Sequence, residues 1–235
     1  MRPRRIGFWY RLAVTVVKPL LLLFTSRRWR GGEHIPRTGG VILAANHISY
    51  VDPLMVAHYV YEHGRLVRFL AKQSLFEVPF IRWVVKGAQQ IPVRRGTADA
   101  AAALTAAVDA LNRGECVLVY PEGTATRDPQ LWPMVARTGI ARLALTTGVP
   151  VIPIAQWGAQ QVLPYPSKRP RLFPRATIEM VAGPPVDLSR FEGKEQTVEV
   201  LREATDEVMH RIAEMLEQLR GQPAPPVFYD PHKAA

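Results

Sequence analysis

The sequence predicts an α/β fold, with a mostly parallel central sheet flanked by helices and an N-terminal helical arm in front of it. Three observations predict it. Short apolar runs alternate with longer segments of helical period, the pattern of strand–helix–strand units. Two of the runs, 41–45 and 116–120, are apolar throughout rather than at every second position, as strands covered on both faces are. The polar signatures follow directly on these strands, Asn46-His47 on one and Pro121-Glu122-Gly123-Thr124 on the other. Open α/β sheets collect their ligands beyond such strand ends.

The elements follow in order. Gly31-Gly32 and the stretch from Pro36 to Gly40 punctuate the chain before the first strand, 41–45. A helix is expected from Pro53 to Glu62, with proline suited to its first turn. A strand at 67–71, a short helix at 74–85 closed by Gly87, and an extended segment at 91–93 come next. Residues 97–112 are Ala-rich, with Leu104, Val108 and Leu111 at helical spacing and Gly114 as the stop. After the strand at 116–120, a helix is expected over 138–147. A strand follows at 149–154, which its prolines should restrict to an edge or an irregular position. A further strand at 176–181 precedes a long helix at 195–219, striped by Val198, Leu201, Val208, Ile212, Met215 and Leu219. These elements divide the chain into an arm (1–32), a globular domain (33–221) and a Pro-rich irregular tail (222–235).

The chain has 235 residues, 48% of them hydrophobic, enough for one sizeable domain with a full core. A single cysteine, Cys116, excludes a disulfide framework and a cysteine zinc site. The net charge is +10, and its location says more than its size. Arg2, Arg4, Arg5, Arg11, Lys18, Arg27, Arg28 and Arg30 fall within the first 30 residues with no acid among them, leaving a nearly neutral globule behind. That distribution argues against an extended nucleic-acid face. The stretch from Ile6 to Phe24 is apolar but interrupted by Arg11, Lys18 and Pro19, which suits an interfacial anchor better than a span or a signal peptide. Its cations would face anionic headgroups, with Trp9 and Tyr10 at headgroup level. A helix packed on the globule with solvated charges is the competing reading.

His47 leaves a buried strand and Asp52 stands five residues on. A carboxylate at that spacing can accept from one ring N–H and leave the other nitrogen to take a proton from a hydroxyl. The same two residues could equally make a structural turn. Ser49 has no Gly-x-Ser-x-Gly elbow around it, and neither a Walker loop, a Gly-x-Gly-x-x-Gly fingerprint nor a metal-ligand motif occurs. His34, His58, His63, His210 and His232 have no evident partners in the sequence. In Pro121-Glu122-Gly123-Thr124, glycine admits a close backbone approach and threonine offers a hydroxyl. Arg94, Arg95 and Arg127 are cations that could grip a phosphate.

Four segments in order resemble the glycerolipid acyltransferase superfamily, of the bacterial 1-acylglycerol-3-phosphate acyltransferase type. They are Asn46-His47-x4-Asp52, Gly87 to Arg95, Tyr120-Pro121-Glu122-Gly123-Thr124 and Val149 to Pro153, with Glu122 75 residues after His47. The resemblance covers about residues 35–185 and implies roles position by position. His47 would deprotonate an acceptor hydroxyl, and Asp52 would orient it. Arg95, or Arg94 in the place where the family often has Asp, would contact phosphate together with Glu122, Gly123 and Thr124. Lys72 resembles a lysine placed near the developing oxyanion. The third segment reads Thr124-Ala-Thr-Arg127, so its cation sits two positions later than in the common pattern.

What the resemblance implies is an O-acyltransferase of phospholipid biosynthesis. A fatty acyl group would pass from acyl-CoA or acyl carrier protein to the free hydroxyl of a lysophospholipid, 1-acylglycerol-3-phosphate, giving phosphatidic acid without a cofactor or metal. The enzyme would sit on an anionic membrane surface, peripheral or monotopic at the cell membrane, with its catalytic domain on the cytoplasmic side. Another lysophospholipid or glycolipid acceptor, a thioesterase, and a non-catalytic membrane-binding protein are the alternatives.

Overall fold

The computed structural model describes residues 7–79, 81–93, 99–167, 169–231 and 233. Its strands are β1 (Thr25–Arg30), β2 (Val41–Ala45), β3 (Val67–Lys72), β4 (Ile91–Val93), β5 (Cys116–Val119), β6 (Val151–Trp157) and β7 (Ala176–Ala182). They form one sheet in the order β1-β7-β6-β2-β5-β3-β4. The strands β6-β2-β5-β3-β4 run parallel, β7 lies antiparallel to β6, and β1 pairs parallel with β7. The helices are α1 (Phe8–Phe24), α2 (Asp52–Glu62), α3 (Ile81–Gly87), α4 (Asp99–Asn112), α5 (Gly139–Thr147), α6 (Ala159–Val162) and α7 (Val198–Arg220).

The continuous apolar runs are explained by a core on each side of the sheet. Val41, Leu43 and Ala45 point into one layer with Met55, Val56, Tyr59 and Val60 of α2 and Leu21 of α1. Ile42 and Ala44 point into the other, with Ala107 and Leu111 of α4, Ile140 and Leu143 of α5, and Val208 and Ile212 of α7. Full burial of a side chain such as Leu43 stabilises the fold by roughly 1.5–3 kcal/mol. The chain leaving β2 crosses the first layer as α2, whereas the chain leaving β5 crosses the second as α5. Neighbouring connections that part to opposite faces open a crevice at the strand ends.

Three expectations change. Residues 25–30 were expected in the arm, yet they form β1, registered against β7 from Thr25↔Ala176 to Arg30↔Val181. Arg27, Arg28 and Arg30 are thus exposed charges on an edge strand, where charge discourages pairing with other chains. The helix expected over 74–85 is broken into a 3-10 turn, Gln73–Phe76, and α3, with Pro79 in the gap. Proline offers no N–H and biases Val78 away from helical geometry. The third change is at β6, expected at an edge because of its prolines and found between β7 and β2. Pro153 pairs with Ala44 in register, and its carbonyl accepts from Gly183 N at 2.9 Å. A residue's nitrogen and carbonyl face the same side of a strand, so Pro153 turns its missing donor toward β7, just before that ladder begins at Ile154↔Ala182.

Candidate active site

His47 lies two residues past the end of β2, and Asp52 opens α2, so one short turn carries both. His47 Nδ1 and Asp52 Oδ2 are 2.8 Å apart. The same oxygen accepts from Ile48 N at 2.6 Å and Ser49 N at 2.8 Å, which holds the carboxylate in one orientation. Asp52 is completely buried, while the His47 side chain keeps 13% of its surface exposed. With Nδ1 donating to Asp52, Nε2 carries the lone pair, and the ring is reachable from outside. Ser49 is no nucleophile in this arrangement, because its hydroxyl donates to Leu163 O at 2.7 Å inside the protein.

The loop after β5 grips His47 from the other side. Glu122 Oε1 accepts from His47 N at 3.0 Å, and Glu122 Oε2 accepts from Met134 N at 2.9 Å. Thr126 N donates to His47 O at 2.7 Å. Both backbone groups of the histidine are therefore held by the Pro121–Thr126 segment. Burial pushes the Glu122 carboxyl up to about 8, against the opposing pull of its two backbone N–H donors. The Tyr120 ring stacks on the imidazole, with centroids 4.2 Å apart and planes 21° from parallel. Burial raises the Tyr120 hydroxyl well above its usual range. Under the turn, Asn46 and Gln156 tie β2 to β6 by three bonds: Asn46 Nδ2 to Gln156 O at 3.0 Å, Gln156 N to Asn46 Oδ1 at 2.9 Å, and Gln156 Nε2 to Asn46 O at 2.7 Å.

The remaining sequence candidates fare differently. Gly123 adopts φ +76 at the turn, a left-handed conformation that suits glycine, and Thr124 is half-buried beside it. Glu122 is buried, and each of its carboxyl oxygens accepts one backbone amide, from His47 N and from Met134 N. Lys72 ends β3, exposed at the same rim of the sheet. Since β5 separates β3 from β2, two strand spacings put its backbone about 10 Å from β2. No hydrogen bond or ion pair joins Lys72 to His47 among the described residues. Arg94 and Arg95 lie outside the described residues. Among the described residues no group of three or more His, Cys, Asp or Glu side chains could hold a metal ion. The sequence reading missed Gln156, whose signal is a polar residue closing an apolar strand, and the amide of Met134, which had no signal at all.

Fold and site together define a doubly wound α/β protein with a partly exposed histidine paired to a buried carboxylate at the C-terminal rim of its parallel strands. Residues 26–157 match the family model described as Acyltransferase, a span that includes His47, Asp52 and Glu122. The chain belongs to the acyltransferase family. It is 34% identical over 125 residues to a 1-acyl-sn-glycerol-3-phosphate acyltransferase of Borreliella burgdorferi, covering 53% of this chain and 48% of that one. A Bacillus subtilis protein of the same description is 23% identical over 213 residues, with 89% of this chain and all (100%) of that one aligned. A lyso-ornithine lipid O-acyltransferase of Pseudomonas aeruginosa is 33% identical over 121 residues, 49% of this chain and 42% of that one. The chain spans about half the length of the Borreliella relative and 39% of a chloroplast relative from Brassica napus. The crystal structure of the 1-acyl-sn-glycerophosphate acyltransferase of Thermotoga maritima shares the fold. Its TM-score is 0.66 at 24% identity, over 92% of this chain and 81% of that one.

Proposed function

We propose that the protein transfers a fatty acyl group from a thioester, acyl-CoA or acyl carrier protein, to the free hydroxyl of 1-acylglycerol-3-phosphate. The product is phosphatidic acid. The observation that carries this reading is the His47–Asp52 pair, with Nδ1 held at 2.8 Å and the ring partly open to the crevice. His47 Nε2 takes the proton of the acceptor hydroxyl as its oxygen attacks the thioester carbonyl. The tetrahedral intermediate collapses, the C–S bond breaks, and the thiolate leaves with the proton from Nε2. Asp52 stabilises the imidazolium between these steps. Thioesters are already activated, so no acyl-enzyme is required. Lys72 and Arg95 remain candidates for the oxyanion and the phosphate, with Arg94 as the alternative phosphate contact.

The outer face of α1 supports a peripheral or monotopic place on an anionic membrane. Phe8, Leu12, Val16, Leu20 and Leu23 share that face and are exposed, the reverse of a helix packed by its apolar side. Trp83 of α3, stacked on Trp9, and Phe173, set edge-on to Phe24, are further exposed apolar rings beside α1. Arg11 is exposed on the flank of the α1 face. No helix among the described residues is long and apolar enough to cross a membrane. At the cell membrane, with lipid substrate and thioester donor on the same side, the catalytic domain would face the cytoplasm.

A different lysolipid acceptor is the second reading, favoured by the likeness to the Pseudomonas lyso-ornithine lipid enzyme. One experiment tests both: purified protein in anionic mixed micelles, a panel of lysolipids and acyl-CoAs, and products identified by mass spectrometry. Phosphatidic acid formation by the wild type, lost in His47→Ala with the fold retained, is expected. Turnover of His47→Ala near the wild-type rate would sink the mechanism.

A further inference from the structure

The Pro121–Thr124 turn is visited by a cation that none of the four sequence segments contains. Arg137 donates its backbone N–H to Pro121 O at 2.9 Å, which pins its Cα against the turn. Its side chain then lies across Gly123: a Cβ placed on that glycine would stand 3.2 Å from Arg137 Nε and 3.3 Å from Cδ. Glycine at 123 thus serves the φ of +76 and also leaves the slot that the arginine stem occupies. Arg137 is exposed, and among the described residues no hydrogen bond or ion pair engages its guanidinium. The neighbouring Glu122 makes no ion pair with it among the described residues; its two oxygens accept from the backbone amides of His47 and Met134. Glu122, next to Gly123 in the chain, accepts from His47 N at 3.0 Å, so one turn carries the slot on one side and a hold on the His47 backbone on the other.

A guanidinium anchored by its backbone, seated in a glycine slot and left unpaired is preorganised for a phosphate, which it can grip through two N–H groups. We infer that Arg137 contacts the phosphate of the acceptor at the Gly123 turn and so sets the preference for a phosphate-bearing acceptor. The inference deepens the acyl-transfer reading above and rests on it. Arg127, the cation nearest the turn in sequence, has its backbone N–H 3.1 Å from Met134 Sδ and makes no described contact with Gly123. The phosphate at Arg137 belongs to the acceptor rather than to coenzyme A, because the turn that holds the base must also meet the hydroxyl that the base deprotonates.

The test compares wild type, Arg137→Ala, Arg137→Lys and Arg127→Ala with lysophosphatidic acid and with the matching monoacylglycerol, which lacks only the phosphate. Glycerol 3-phosphate serves as a competitive probe. In Arg137→Ala the ratio of kcat/KM for the two acceptors should fall about tenfold or more, the loss expected for one charge-assisted contact. The Ki of glycerol 3-phosphate should rise by a similar factor, and Arg137→Lys should recover part of both. An unchanged ratio in Arg137→Ala overturns the inference, as does a collapse in Arg127→Ala instead. A rise confined to the KM for acyl-CoA overturns it too, by assigning the phosphate to the donor. A wild type that turns over other lysolipids but shows no preference for phosphate-bearing acceptors refutes the lysophosphatidic acid reading itself, a result separable from the others because it appears before any substitution.

Discussion

Replacing Glu122 by glutamine separates two roles for this residue, support of the base and contact with the acceptor. A carboxyl group offers acceptor lone pairs on both oxygens, and the structure uses both, at 3.0 Å to His47 N and 2.9 Å to Met134 N. A carboxamide has one acceptor and one donor, so in Glu122→Gln one of those buried amides must face an NH2. Leaving one buried N–H unsatisfied costs about 1–3 kcal/mol, and for a chain of this size each kcal/mol lowers Tm by roughly 2–4 °C. Where the lost bond is the one to His47, the base shifts, and misplacement by about 1 Å costs on the order of 100-fold in rate. The assay is kcat and KM for both substrates beside a thermal melt. Support of the base predicts a lower kcat, a lower Tm and a nearly constant acceptor KM. A raised acceptor KM with kcat and Tm unchanged would refute the reasoning and return Glu122 to the acceptor site. The pH dependence adds a second readout. Burial raises this carboxyl from 4.5 to about 8, so the folded state holds the proton more tightly than the unfolded chain. Its stabilising contribution is complete below about pH 4.5 and is lost as pH rises through about 8, with a slope of at most about 1.4 kcal/mol per pH unit. Urea melts at several pH values in that window should show the decline in the wild type and not in Glu122→Gln.

Two further substitutions address the base and the membrane face. Asp52→Asn should keep the fold, since the amide oxygen can take the Oδ2 position and its bonds to Ile48 N and Ser49 N, but should lower kcat by about 10–100-fold, the worth of about 1.5–3 kcal/mol for a charged hydrogen bond to the imidazolium; a loss under tenfold in steady-state turnover would argue that Asp52 is structural. The double substitution Leu12→Asp with Leu20→Asp puts two charges on the exposed face of α1. Co-sedimentation with anionic vesicles should drop sharply while the melting temperature stays near wild type, and undiminished vesicle binding would remove α1 from the membrane contact.

The dyad was legible because it is local. His47 and Asp52 are five residues apart, and the chemistry needs only one turn to join them. The central strands β2 and β5 were legible because burial on both faces leaves runs with no polar residue. β1 was not, since Thr-Ser-Arg-Arg-Trp-Arg reads as a basic arm until β7, about 150 residues away, provides the partner. Pro153 misled in the opposite sense, as a proline is tolerated inside a sheet where its nitrogen meets no required acceptor. Arg137 and the amide of Met134 reach the site only because the chain between β5 and α5 folds back over the Gly123 turn. No spacing rule encodes that.

Both backbone groups of His47 are bound by the loop that follows β5, and its side chain by the turn that follows β2. The histidine is therefore fully held only when two strand ends, adjacent in the sheet but 75 residues apart in sequence, are in register. Pro-Glu-Gly-Thr thus takes part in holding His47. Glu122 faces inward to the amide of His47, and Gly123, next in the chain, opens outward to Arg137. On the reading proposed for Arg137, a phosphate drawn to the outer side of this turn pulls on the backbone that sets the histidine on its inner side. Acceptor recognition and base alignment then share a single peptide unit, which predicts that substitutions at Gly123 alter kcat and acceptor KM together.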